Sequence, residues 1–323
     1  MAHRLTDEML GLLGRGPVAA ADLAQGLKVD RTTVSRALQP QIRAGRVVRL
    51  LGATRGARYG RARPIGSVGT SWPLYRIDET GAPEQIATLQ AIERNHFHCS
   101  TGPSRIARLV ERIPYFLQDA RPAGFLGRAI PAAYPVLGLP ARVQDWTDEH
   151  VIVFLTQAGA ESVGNLILGA EALNQYLAGD HGPPIVVAEE RATRYPQLAA
   201  AAMIGAPPGS SAQGEHPKFA VRIAGHRELV HALVKFSPPR STAAGERWAD
   251  LLIAESWALR VLAEQGIPVA HTELHEYGEQ VFLQSERFDR VGADGRRGVV
   301  TLFSVDADRY GRLDSWSAAA ERL

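Results

Sequence analysis

The chain has 323 residues, 45% of them hydrophobic and 22% charged, with Cys99 as its single cysteine. That length predicts two or three domains, the composition excludes wholesale disorder, and a lone cysteine excludes an internal disulfide and suits a reducing cytosol. The net charge of +2 is unevenly spread: residues 1–65 carry +8 and the remainder −6, so a basic head on an acidic body is expected to meet a polyanion. No run of about eighteen uninterrupted apolar residues occurs, and "MAHRLTDEML" lacks a signal-peptide core. A soluble cytoplasmic protein with no membrane partner is the expectation.

In chain order, Asp7 to Leu13 predicts a short helix ended by "RGP", and Ala20 to Leu27 a second. Asp30 can N-cap a third helix beginning near Arg31, with Val34, Ala37, Leu38 and Ile42 as its buried stripe. Its other face offers Thr32, Thr33, Ser35, Arg36, Gln39 and Arg43, side chains suited to base edges and phosphates. Pro40 predicts a kink or restart within that helix, since an interior proline costs about 3 kcal/mol. "RVVRLL", the turn "GATRGA" and "RYGRAR" then predict a two-stranded wing carrying Arg55, Arg58 and Arg61. This arrangement resembles a bacterial winged helix-turn-helix over residues 1–65, which implies double-stranded DNA as a partner. A homodimer is left open, because such domains often read paired half-sites.

"RPIGSVGTSWP" at 63–73 has the composition of a linker. The middle region, 66–205, mixes strands and helices: "LYRID" reads as a strand, "SRIARLVERIPYFLQ" as a helix and "HVIVFLTQAG" as an apolar helix. His96, His98 and Cys99 form a local cluster without a fourth ligand at metal-site spacing, and His271 and His275 sit on an alternating segment that would not align them. No metal ligand set is assigned.

The third region, 206–323, opens with "GSSAQGEHPKF" at 209–219, a small-residue loop whose backbone N–H groups could cradle phosphate oxygens. It is not a Walker A sequence. A hairpin of Lys218–Ile223 and Leu229–Phe236 follows, placing Lys235 on a sheet face above the loop. The helix in "GERWADLLIAESWALRVLAEQG" presents Trp248, Leu251, Leu252, Ala258, Leu259 and Leu262 on one stripe, and Glu255 falls on the same stripe. A carboxylate on a packing face needs a partner. Lys235 is the partner expected, in the manner of the Lys–Glu pair of kinases; the alternative is that Glu255 sits at the edge of the stripe and reaches solvent. "QVFLQSERFDRV" predicts a strand that ends at the mouth of a cleft.

In this order, "SSAQGEHPKF", "ALVKFSP", "AESWALRVLAEQGIPVA" and "ERFDR" resemble the HipA-like serine/threonine kinases, toxins of bacterial toxin–antitoxin pairs, in the variant with its own helix-turn-helix. The resemblance implies an α+β fold with 66–205 as a HipA-like N-terminal subdomain and 206–323 as a kinase-like nucleotide-binding lobe ending before the helical lobe, which uses ATP and Mg, with Ser211, Gly214, Lys218, Lys235 and Glu255 around the phosphates. It implies backbone contacts from Glu286 and Phe288 to adenine, Asp289 near the ribose, and Ser211 as an autophosphorylation site whose added charge would expel the loop. His216 stands where look-alikes commonly carry Gln. The stretch bearing the catalytic Asp, the Asn and the second Asp finds no match: Asn174 is the last asparagine, and Asp294, Asp306, Asp308 and Asp314 have no Asn after them. Three explanations stay open at this point: a truncated kinase, half of a kinase completed by another chain, or a DNA-binding regulator with an inactive lobe. An antitoxin-like partner is a further expectation of the resemblance.

Overall fold

The computed structural model describes residues 2–50, 57–101, 108–179, 182–205, 210, 213–225, 229–311 and 315–322. In the head, α1 (Ala2–Leu13), α2 (Ala20–Leu27) and α3 (Arg31–Arg43) close around Met9, Leu13, Leu23, Val34 and Leu38. α1 begins before the expected Asp7, and its first turns carry the i,i+4 pairs His3–Asp7 and Arg4–Glu8, both at 2.9 Å. Asp30 caps α3 by accepting the Thr33 amide at 2.9 Å. The expected interruption at Pro40 does not occur. The helix continues to Arg43 because Leu38 and Gln41 are buried on either side of an exposed proline, so packing outweighs one missing hydrogen bond.

β1 (Val18–Ala19), β2 (Val47–Arg49) and β3 (Arg58–Arg61) pair antiparallel in the order β1-β3-β2, so the expected two-stranded wing gains a third strand. The segment 63–73 is not a linker. The Arg63 amide donates to the Ala91 carbonyl at 2.9 Å, Ile65 and Trp72 are buried in the middle core, and Ala62 bridges Ile92. Val48, Leu50, Ala62 and Ile92 form a small core shared by wing and middle region, and His98 Nε2 donates to the Leu50 carbonyl at 2.7 Å. The head is therefore seated on its neighbour.

The middle sheet runs β7-β6-β5-β4-β8, with β4 (Ser71–Ile77), β5 (Pro83–Ile92), β6 (His96–Thr101), β7 (Arg108–Glu111) and β8 (Leu166–Leu168) all antiparallel. α4 (Tyr115–Gln118), α5 (Gly124–Ala133), α6 (Asp148–Ala158) and α7 (Ala170–Ala178) accompany it. The single helix expected in "SRIARLVERIPYFLQ" is corrected. Arg108–Glu111 adds to the sheet edge opposite β6, and Pro114, which disfavours helical backbone at Ile113, separates that strand from a one-turn helix.

The third sheet has the order β12-β13-β11-β10-β9, built from β9 (Ile185–Val187), β10 (Lys218–Ala224), β11 (Leu229–Phe236), β12 (Thr272–Tyr277) and β13 (Gln280–Glu286). α8 (Arg191–Met203) covers one face through Tyr195 and Ala199, against Phe219, Val234 and Phe282. α9 (Ala243–Glu264) covers the other through Ala249 and Leu252, against Val281 and Leu283. β9 pairs with β10 and α8 packs on this core, so the third sheet also draws on residues that precede 205. A small hairpin of β14 (Arg290–Val291) and β15 (Gly295–Arg296), then α10 (Leu302–Arg309) and α11 (Trp316–Arg322), follow the last long strand. The apolar stripe expected along α9 is buried only in its first half. Leu252 is buried, Trp248 and Leu259 are half-buried, and Leu251, Ala258 and Leu262 are exposed. At about 1.5 Å per residue the helix outruns the sheet beneath it.

Among the described residues no helix is long and apolar enough to cross a membrane.

Candidate functional site

Strand alternation decides which side chains of β11 meet the cleft. Ala232, Val234 and Phe236 enter the core under α8, while Leu233 and Lys235 point to the opposite face. Leu233 lines a cavity of about 250 Å³ closed by Gln213 of the loop, Ala270, residues Ser285 to Asp289, and Asp119, Val163, Val299 and Thr301. One pleat further along, Lys235 Nζ donates to both oxygens of Glu255, at 2.6 and 2.8 Å. The pair expected from a carboxylate on the α9 stripe is thus formed, on the sheet face that borders the cavity.

Lys218 stands directly opposite Lys235 in the β10–β11 register, so two ammonium groups share one face, with the carboxylates of Glu255 and Glu215 near them. Lys218 is buried. Desolvation, then the Lys235 charge, lowers its pKa from 10.5 to about 8. Its Nζ donates to the carbonyls of Gln213 at 3.2 Å and Gly214 at 2.7 Å. This corrects the expected loop geometry. At these two residues the carbonyls turn towards a lysine, and the lysine that holds them is Lys218, with Lys235 one strand away. Ser211 lies outside the described residues. Its neighbour Ser210 is buried and accepts a hydrogen bond from Arg287 at 3.3 Å. His216 packs its ring on Trp248 of α9 with centroids 4.7 Å apart, and burial, followed by the Lys235 charge, lowers its pKa.

The loop is also docked from the middle region. The Phe125 amide donates to the Gly214 carbonyl at 2.9 Å, and Arg128 pairs with Glu215. Gly124 has φ +64°, and a Cβ there would stand 2.5 Å from the Gly214 oxygen. Gly124→Ala is therefore expected to displace the 213–217 turn and cost about 1–3 kcal/mol. Limited proteolysis should show faster cleavage around residue 214 in the variant than in the parent chain.

Asp289 differs from what the resemblance implied. Its carboxylate is buried and accepts from Arg287 Nε at 2.9 Å and Nη2 at 2.8 Å, Arg290 Nη1 at 2.8 Å and the Gly164 amide at 2.9 Å. Burial alone would raise its pKa. The Arg287 hydrogen bonds and the Arg287 and Arg290 charges outweigh that and hold it well below the usual carboxylate range. Asp289 borders the cavity, but its oxygens fasten the strand end to the middle region instead of reaching for a ribose. Phe288 is 68% exposed, and Glu286 is half-buried with its carboxylate on His271 Nδ1 at 2.9 Å, which leaves backbone contact as the role open to both. Asp306 is paired with Arg322 and Asp308 with Arg108. Sequence reasoning missed Asp119, whose carboxylate accepts the Thr301 amide at 2.7 Å, the Thr301 hydroxyl at 2.8 Å and the Ser304 hydroxyl at 2.9 Å, setting the start of α10 at the cavity wall.

Comparison with known proteins places this geometry. Residues 68–177 match the family described as YjjJ-like toxin, middle domain, and residues 210–321 match the HipA-like C-terminal domain. The chain is 35% identical over 318 residues to the protein named Toxin YjjJ of Escherichia coli strain K12, covering 98% of this chain and 70% of that protein. The chain belongs to the YjjJ-like, HipA-related toxin family. The lobe carrying Lys218, Lys235 and Glu255 is thus the HipA-like part, kinase-like by family, and the docking segment at Gly124–Phe125 lies in the YjjJ-like middle domain.

The head of this YjjJ-like chain exposes Thr32, Ser35, Arg36, Gln39 and Arg43 on one side of α3. Thr33 is half-buried and its hydroxyl donates to Asp30 at 2.8 Å, so it serves the helix cap and is withdrawn from the expected surface. Arg58 donates to the Pro17 carbonyl at 3.0 Å and Arg61 lies 3.8 Å from Glu93, which ties both to the body of the head and its neighbour. Arg55 falls outside the described residues.

Proposed function

We propose that this YjjJ-like chain is a toxin-type serine/threonine kinase homologue that binds ATP in its HipA-like lobe and double-stranded DNA with its head. The observation that carries the nucleotide half is the Lys235–Glu255 pair on the sheet face bordering the cavity. The residues present fit an adenine nucleotide. Leu233 and the Ser285–Asp289 strand end offer an apolar wall and backbone groups to a base, and Lys235 and Lys218 offer positive charge to phosphates. Bound ATP would supply the transferable phosphoryl group; the chain's own part is to hold and orient it.

Among the described residues no three His, Cys, Asp or Glu side chains cluster to hold a metal, and Mg²⁺ would be held chiefly by the nucleotide phosphates. The second reading, a DNA-binding regulator without phosphotransfer, is favoured by the pairing of Asp306 and Asp308 with arginines. Transfer of radiolabelled γ-phosphate from ATP to the chain or to an added protein supports the kinase. Nucleotide binding without transfer, with Mg²⁺ present, supports the regulator.

Nucleotide affinity is expected to fall as pH rises through about 8, where Lys218 loses its proton. The lowered value means the folded chain releases this proton before the unfolded chain does, so the positive charge facing the phosphates is present below that pH and absent above it. Titration calorimetry of ATP against pH checks this, and Lys218→Arg, which keeps its charge, should flatten the profile.

For the head, Arg36→Ala is expected to weaken DNA binding and reduce the salt slope by about 1, as one phosphate contact is lost. Arg58→Ala, at a residue already donating to Pro17, should have the smaller effect. Electrophoretic shifts at a series of salt concentrations measure both. Unchanged binding in the double variant would remove the groove and wing assignments.

A further inference from the structure

Behind the strand end that borders the nucleotide cavity lies a second, smaller cavity of about 30 Å³. It sits where the middle domain meets the lobe. Glu161 and Tyr176 line it from one side, and His231, Arg290 and Arg296 from the other. Side-chain exposure is 2% for each of these arginines. Four polar atoms of the lining are buried without a hydrogen-bond partner: Arg290 Nε, Arg296 Nη1, His231 Nδ1 and Glu161 Oε2. The rest of each side chain is held in place. Arg290 donates to the Gly164 and Ser162 carbonyls at 3.1 and 2.9 Å, Arg296 Nη2 to the Ala160 carbonyl at 2.7 Å, and the Arg296 guanidinium lies 4.6 Å from the Tyr176 ring centre. These atoms therefore cannot swing away to find other partners.

Their hydrogen-bonding character selects the ligand. Both arginine atoms are donors. His231 Nε2 is 3.0 Å from the Ala293 carbonyl, which can only accept, so Nε2 carries the hydrogen and Nδ1 presents a lone pair. Glu161 Oε2 is an acceptor, and at 3.7 Å from Arg290 Nη2 it is too far for a direct hydrogen bond. An anion would meet the carboxylate and the imidazole lone pair, and a cation would meet two guanidinium groups. Only a neutral molecule that both donates and accepts satisfies all four atoms, and a space of this size admits about two waters.

We propose that this cavity is a hydration site, in which ordered water accepts from Arg290 and Arg296 and donates to His231 and Glu161, joining the strand end of the lobe to the middle domain. The site lies on the Arg290 side of that strand end, away from the nucleotide cavity, so it stands whether or not ATP binds.

The test is a crystal structure of the whole chain, at a resolution that shows ordered solvent, with sodium bromide as the added salt and anomalous data collected at the bromine edge. The expected result is water density inside the cavity, about 2.7–3.2 Å from the four atoms, with no anomalous peak. A bromine peak there would make it an anion site and overturn the proposal. So would an empty cavity, or side chains rearranged to pair with one another.

Discussion

Asp289→Asn is expected to destabilise the folded chain by about 3–5 kcal/mol, because it removes the charge that two buried arginines share and leaves Arg290 the longer 3.7 Å contact to Glu161. Arg287 and Arg290 are both buried, and the Gly164 amide closes on the same carboxylate from the middle domain. The loss should appear as a lower denaturation midpoint. The pH dependence has a definite sign. The pKa of Asp289 is depressed in the folded state, so its contribution is fully present above its ordinary value of 3.8 and is lost as pH falls below that, towards the folded-state pKa. Stability of the parent chain should therefore drop more steeply below about pH 4 than stability of the variant, which no longer has this group to titrate. Denaturant unfolding at a series of acidic pH values checks it, and parallel curves for the two proteins would show that Asp289 is not the fastening described.

Lys235→Met is expected to weaken ATP binding by about 10–100-fold, the loss of one charge-assisted contact to phosphate, about 1.5–3 kcal/mol. The fold should survive. The pair with Glu255 leaves 31% of the lysine and 40% of the glutamate side chain exposed, and a partly exposed pair contributes only about 0–1 kcal/mol to stability. Glu255→Gln should have a smaller effect in the same direction, since it frees the lysine without removing it. Titration calorimetry with ATP measures the affinities and a melting curve checks the fold. Parent-like affinity in Lys235→Met would remove the phosphate role from this face of the sheet.

The parts of the structure legible in the sequence were those written in local spacing. Asp30 ahead of a stripe at Val34 and Leu38 marks the start and the buried face of α3, and both hold. The alternation in "KFAVRI" and "VHALVKF" gives β10 and β11, and a carboxylate among apolar residues on α9 pointed to a partner at Lys235. What stayed hidden depends on distant chain. The segment 63–73 is rich in glycine and proline, yet its hydrogen bonds go to Ala91 and its side chains into the middle core, and no local pattern states this. Asp289 resembles a ligand when read within "ERFDR", but its fourth donor, Gly164, is 125 residues away. Lys218 and the docking residue Gly124 are likewise far apart in the chain, with the second half of the middle domain between them. The signal that was available is the Pro before Lys218, which fixes the strand's entry; the positive φ that singles out Gly124 is visible only in the fold.

One sheet face, carrying Leu233, Lys235 and Lys218, is the proposed seat of an adenine nucleotide in this YjjJ-like chain. The most direct measurement is a structure of the chain with a non-hydrolysable ATP analogue and Mg²⁺. The expected result is the base in the cavity against Leu233 and the backbone of Glu286 to Phe288, with phosphate oxygens at the ammonium groups of Lys235 and Lys218. A base bound elsewhere, or phosphates that approach neither lysine, would contradict the account.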